Sequence, residues 1–208
     1  MEPGKGHGDN MAIYAIGDVP SVDFFNAVPR ANLDQDNLVP IPIGINEFRW
    51  ADGLIPDTTG AAGKPKIVGG GYGSGTGIFQ GEDAQAALKT ETLYFEKRLP
   101  ESYVAGQTVT VTFTARFNDA GTNTESTKTI DCEAYKIAEA GTAGSDICAT
   151  AIQTTTAAMA QYTFTITAAS LTAGSLLRVF AQMKLQGDSN GALKNELGGA
   201  SLNIDLKG

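Results

Sequence analysis

The sequence predicts an all-β protein, an antiparallel β-sandwich of jelly-roll-like type with an extended Pro/Gly-rich N-terminal arm. Three observations predict it. Residues 108–118, "TVTVTFTARFN", alternate apolar and polar side chains without a break, the period of a half-buried strand. Similar short runs recur to the C-terminus, separated by Gly, Asn, Asp and Ser turns, and no long amphipathic helix interrupts them. Seven of the eight prolines, Pro3, Pro20, Pro29, Pro40, Pro42, Pro56 and Pro65, precede Gly81, so the chain has two textures.

Taken in order, residues 1–10, "MEPGKGHGDN", read as a mobile polar tail without the apolar stretch of a signal peptide. Residues 11–87 read as an extended arm and glycine-rich junction, able to contribute one or two strands. Within it, "LVPIPIGINEF" suits an edge strand and excludes a central strand or a helix, because proline donates no backbone hydrogen bond. The arm carries too many large apolar groups for a solvated linker. Phe24, Phe25, Ile41, Ile43, Phe48, Trp50, Tyr72 and Phe79 are therefore the candidate partner-interface residues. The run "IVGGGYGSGTGIFQG" follows at residues 67–81. It fits neither the Walker nor the dinucleotide-binding glycine pattern, so it reads as a thin crossing from arm to sandwich. "GEDAQAALKTE" can form a helical turn or two.

Residues 88–208 are the expected sandwich. Strands are predicted at 92–99, 108–118, 128–138, 147–153, 161–167, 176–185 and in the tail "ASLNIDLKG". The inward sets are Val109, Val111, Phe113, Ala115 and Phe117; Ile130, Cys132 and Ala134; Tyr162, Phe164 and Ile166; Leu177, Val179, Ala181, Met183 and Leu185; and Leu202, Ile204 and Leu206. With one or two strands from residues 40–80, the total reaches about eight, the number in a jelly roll.

Composition narrows function by exclusion. The net charge of −8 is spread along the chain and argues against nucleic acid or anionic membrane as partner. No apolar run reaches the ~18 residues of a membrane-spanning helix. The one histidine, His7, lies in the polar tail and cannot anchor a catalytic triad. Cys132 and Cys148 make neither a disulfide framework nor a zinc site, and read as small strand residues. Asn32, Asp34 and Asp36 alternate oxygen ligands but lack the glycine and distal glutamate of a calcium loop. Glu91, Glu96, Glu101 and Glu133 lie on or beside strands and read as outward-facing rather than as a glycosidase pair. The expectation is a non-enzymatic protein with no cofactor and no metal.

"RLPESYVAGQTVTVTFTARFN", "TIDCEAYKI", "SLTAGSLLRVFAQMKL" and "LNIDLKG" together resemble β-sandwich virion proteins of tailed bacteriophages, namely capsid decoration (cement) proteins and head-fibre or tail-associated domains. The shared features are an "LP-x-x-Y-x-x-G" entry, an "L-x-x-G-x-x-L" entry and an "L-x-I-D" closing strand, over residues 90–208. The resemblance implies a structural virion protein on the capsid surface, made in the host cytoplasm. Its partners would be the major capsid protein and further copies of itself, as a homotrimer. The alternative is a head-fibre or tail-associated adhesive module that binds host glycan, with Tyr94, Tyr103, Tyr135 or Tyr162 as stacking candidates. A jelly-roll hydrolase is a third, weaker reading.

Overall fold

Alternating residues have to put one face in water and one in a core, and two such sheets stacked face to face do this. The computed structural model describes residues 38–70 and 77–205. They belong to one compact unit, Asp36–Gly208. The strands are β1 (Leu38–Ile43), β2 (Arg49–Trp50), β3 (Lys66–Val68), β4 (Ile78–Gln80), β5 (Lys89–Arg98), β6 (Val109–Asp119), β7 (Thr127–Ile137), β8 (Ala143–Asp146), β9 (Gln153–Thr154), β10 (Ala160–Ile166), β11 (Leu176–Gln186) and β12 (Leu193–Asp205). One six-stranded sheet runs β10-β6-β12-β4-β3, with β1 also on β12. The other runs β2-β5-β11-β7-β8, with β9 on β7. All strand pairs are antiparallel. The architecture is the predicted antiparallel β-sandwich.

The core lies between the sheets. The inward sets predicted on β6, β7, β10 and β11 are buried there, as are Leu202 and Ile204 of β12; Leu206 is outside the described residues. The two entry motifs pack on each other. Leu99 donates its N–H to Ser175 O at 2.9 Å, and Gly174 donates to Leu99 O at 3.1 Å. Gly174 sits at φ 73° and Gly106 at φ 84°, a left-handed conformation that glycine adopts at little cost. Tyr103 is buried in the first entry, its hydroxyl donating to Gln107 O at 2.8 Å.

The N-terminal segment departs from expectation. Residues 38–80 supply four strands, so the sandwich spans residues 38–205 rather than starting at residue 88. Phe48, Phe79, Ile43 and Trp50 are buried in this chain's own core, and Ile41 packs against it. This corrects their assignment to a partner interface: large apolar groups fill the nearest open flank, which here is their own sandwich. Phe24, Phe25 and Tyr72 lie outside the described residues, as do His7, Asn32, Asp34 and Asp36. Phe48 stacks edge-on against Phe79 at 5.2 Å and Phe95 at 5.5 Å, joining β4 of one sheet to β5 of the other. The buried Trp50 donates its indole N–H to Pro65 O at 2.9 Å.

The glycine-rich run is not a crossing between arm and sandwich. β3 and β4 pair in register, Val68 opposite Ile78, so the run joins neighbouring strands of one sheet. A Cβ on Gly70 would lie 3.1 Å from Gly77 Cα, so a side chain there would push the hairpin apart. β1 is an edge strand, as "LVPIPI" predicts, its prolines blunting a free edge.

Three smaller differences have local causes. The strand expected at 147–153 does not form: β8 ends at Asp146 and β9 begins at Gln153, and Asp146 Oδ1 accepts the N–H groups of Ala134 and Cys148, both at 2.9 Å. A carboxylate there takes a carbonyl's place in the ladder. Residues 81–88 are irregular rather than helical, bending at Ala86 (φ 53°), with Ala84 N–H bonded to Leu193 O and Ala86 N–H to Gly187 O. β12 begins at Leu193 and absorbs its Gly198–Gly199 pair as a bulge.

Truncating Phe48 or Phe79 to alanine is expected to cost about 3–5 kcal/mol of stability, measured by urea unfolding. Residues of a detached arm would shift it by no more than about 0.5 kcal/mol.

Candidate functional site

With the apolar residues of β5, β11 and β7 committed inward, the intervening residues stand on the outer face in register. Phe180 of β11 is flanked by Tyr94 of β5 and Glu133 of β7. Arg178 is flanked by Glu96 and Tyr135, and Gln182 by Thr92 and Asp131. Three central strands thus display an ordered grid of aromatic, cationic and acidic groups.

The groups hold each other in place. The Tyr94 and Phe180 ring centroids are 5.2 Å apart and tilted by 41°. Tyr135 meets Phe180 edge-on at 5.9 Å. Arg178 places its guanidinium carbon 5.2 Å from the Tyr94 ring and donates to Glu96 Oε1 from Nε at 2.8 Å and Nη2 at 2.6 Å, a cation–π contact and an ion pair sharing one side chain. The Tyr135 hydroxyl donates to Glu133 Oε2 at 2.8 Å. That hydrogen bond, more than burial or the nearby Glu133 and Asp146 charges, pushes the phenol up to about 12, so it keeps its proton at neutral pH. The three rings are half-buried, while Glu96 and Glu133 are exposed.

A depression bounded by Thr92, Asp131, Glu133, Phe180 and Gln182 holds only about 30 Å³. That is one water's share of volume, so a ligand would lie across the face rather than enter it. The face offers flat apolar rings for the C–H surface of a ring-shaped polar molecule, with carboxylates, a guanidinium and amides at hand for its hydroxyls.

Of the four stacking candidates, the fold brings Tyr94 and Tyr135 together and buries Tyr103 and Tyr162 in the core. Phe180 and Arg178 complete the cluster. Phe180 was detectable as the aromatic out of phase with Leu177, Val179, Ala181 and Met183 of its own strand. Of the four carboxylates, Glu96 and Glu133 share this face, and Glu101 is exposed in a turn. Glu91 points inward and is buried, against the outward reading, accepting from Asn195 Nδ2 at 2.7 Å and Glu82 N at 3.1 Å. Gly81 makes room for it, since a Cβ there would lie 2.6 Å from Glu91 Cδ. Among the described residues, no three His, Cys, Asp or Glu side chains are grouped to hold a metal ion.

Two buried carboxylates behave oppositely. Burial pushes Glu91 above the usual range, and its hydrogen bonds to Asn195 and Glu82 offset this only in part. For Glu196 burial acts in the same direction but is outweighed by hydrogen bonds from Asn118 (3.0 Å), Gln80 (3.0 Å) and Arg116 (2.6 Å), which hold it below the usual range.

No protein-family model matches the chain, and no curated protein matches its sequence. Several solved structures resemble it in fold. The CBM22-1 xylan-binding domain of Paenibacillus barcinonensis Xyn10C aligns at 11% identity over 82% of this chain and 97% of its own, with a TM-score of 0.41. The C-terminal family 22 carbohydrate binding module of Clostridium thermocellum Xyn10B aligns at 9% identity over 84% of this chain and 99% of its own, with a TM-score of 0.39. The enzymatically active domain of bacteriophage CBA120 tailspike protein 4 aligns at 9% identity over 77% of this chain and 20% of its own, with a TM-score of 0.37. At these scores the likeness is one of overall architecture.

Glu91 binds its proton more tightly in the folded chain than in the unfolded one. Its stabilising contribution is therefore complete below the ordinary glutamate value and is lost as pH rises through the folded value. Glu91→Gln is expected to gain stability relative to wild type between pH 4 and pH 7, read from urea midpoints at both pH values. A difference that does not change with pH would contradict the assignment.

Proposed function

We propose that this chain is a glycan-binding β-sandwich module of the adhesive kind, its ligand lying across the outer face of the β2-β5-β11-β7-β8 sheet. The observation that carries this is the Tyr94–Phe180–Tyr135 cluster, set among Arg178, Glu96, Glu133 and Gln182 on three paired strands. These rings are only half-covered on a polar face, and a sugar has both the apolar C–H surface to cover the remainder and the hydroxyls to meet their neighbours. Strand-borne side chains give a face that needs little ordering on binding. Two of the similar structures are named as carbohydrate binding modules; the case for this chain rests on its own face.

The setting we propose is a head fibre or tail appendage of a virion, where such a module would engage host surface glycan without catalysis. Several copies, as in the expected homotrimer, would turn weak single-site binding into firm attachment. Capsid cementing is the weaker reading. It drew on an apolar arm free to embrace a neighbour, and Ile43, Phe48, Trp50 and Phe79 are instead buried in this chain's own core.

A glycan array of neutral oligosaccharides and bacterial surface polysaccharides is expected to return ligands. Tyr94→Ala and Phe180→Ala should each weaken the best of these about tenfold, equivalent to about 1.4 kcal/mol, with the unfolding temperature little changed. An array without hits, or binding indifferent to both variants, would overturn the proposal.

A further inference from the structure

The chain is acidic, with 15 basic against 23 acidic residues, yet four of its lysines line one cavity. Lys64, Lys66, Lys89 and Lys194 surround a space of about 420 Å³ at the flank of the sandwich. This lies within the size range of small-molecule sites, and it is away from the aromatic face. The fold gathers these residues from three strands and a turn. Lys66 of β3 is opposite Gln80 of β4, and Gln80 is opposite Glu196 of β12. Lys194 follows on β12, Lys89 opens β5, and Lys64 lies in the turn before β3.

The charges nearby cancel this concentration only in part. Glu82 and Asp83 are the carboxylates in the lining. Glu82 holds Lys89 at 3.0 Å. Asp83 Oδ1 accepts the N–H groups of Leu193 at 3.1 Å and Gln85 at 3.3 Å. Lys64 is fixed by an ion pair to Asp52 and by the Trp50 ring 5.0 Å from its Nζ. The buried Glu196 is matched by Arg116, its amide neighbour Gln80 donating from Nε2 and leaving Oε1 on the side of Lys194 Nζ, 3.5 Å away. Lys64 and Lys89 are thus each paired with a carboxylate, whereas Lys66 and Lys194 have no carboxylate partner among the described residues and face only Asp83 in the lining.

We propose that this cavity is a second binding site, for the carboxylate or phosphate group of an acidic sugar. The cationic and amide donors recognise the oxyanion, since an ammonium group pairs with either as a point charge. The choice of a sugar as its carrier rests on the glycan-binding reading above. A nucleic-acid polyanion is disfavoured by the acidity of the whole chain.

The test is calorimetric titration of the full-length chain at low salt with trigalacturonate, with inorganic phosphate, and with a neutral trisaccharide. Trigalacturonate or phosphate is expected to bind, the neutral sugar not to compete for the same site, and the affinity to fall as salt is raised. The double variant Lys66→Gln/Lys194→Gln should lower anion affinity at least tenfold with an unchanged unfolding temperature. Lys184→Gln, which removes one positive charge on the other sheet, should leave it unaltered, and each of Lys66→Gln and Lys194→Gln alone should weaken it. Binding of trigalacturonate alone identifies a carboxylate site, and binding of phosphate alone a phosphate site; either supports the proposal. No binding of either anion, or equal loss in Lys184→Gln, overturns it. Neither result bears on neutral ligands at Tyr94 and Phe180, so the two sites fail independently.

Discussion

The structure depends on the edge-on contact of Phe48 with Phe79 and Phe95. Phe79 belongs to one sheet, Phe95 to the other, and Phe48 enters between them just before β2. All three are fully buried. By bridging the layers they make the Pro-rich segment part of the core and fix where β2 and β4 join their sheets. Once these rings and the alternating apolar sets face inward, the register of β5, β11 and β7 leaves Tyr94, Phe180 and Tyr135 on the outside. The candidate face is thus a consequence of how the core is filled.

Much of this was legible in the sequence, because a strand buried on one face writes period two into its residues. β6 and β11 could be read almost to the residue, and β10 nearly so. The segment 38–80 was harder. Proline limits hydrogen bonding without saying what the flanking side chains pack on, so Phe48 and Trp50 read equally as an arm on a neighbour or as core. Sequence separation hid the answer, since Phe48 meets Phe79 across the sandwich and Phe95 on the strand that pairs with β2. The glycine-rich run was ambiguous for the same reason: its hairpin role follows from the pairing of Lys66–Val68 with Ile78–Gln80, runs too short to show a period. Asp146 acts through a side-chain bond in the ladder, which composition does not reveal. At the candidate site, the phase of β11 already put Phe180 outward; the mixed alternation of β5 left the side of Tyr94 open, and the adjacency of the two needed the pairing.

The polar groups divide in the same way between the interior and the outer face. Glu196 is buried but answered by Arg116, Asn118 and Gln80, and so tolerates its charge, whereas Glu91 is buried with neutral partners and resists ionisation. The Asn195 Oδ1 beside it is buried without a partner among the described residues; turning that amide over would let it accept from protonated Glu91. Arg178 and Glu96, in contrast, are in contact with solvent and contribute little as an ion pair. The lysine-lined cavity is a separate concentration of positive charge on an acidic chain, and it complements the aromatic face chemically.

Native-state hydrogen exchange on the intact chain tests the central claim most directly, that residues 38–80 are integral to the sandwich on whose outer face the candidate site is built. Amides hydrogen-bonded in β3 and β4 are predicted to exchange with the same opening free energy as those of β5, β6 and β12, as members of one cooperative unit. Rapid, independent exchange of β3 and β4 while the other strands stay protected would contradict it and restore the picture of an appended arm.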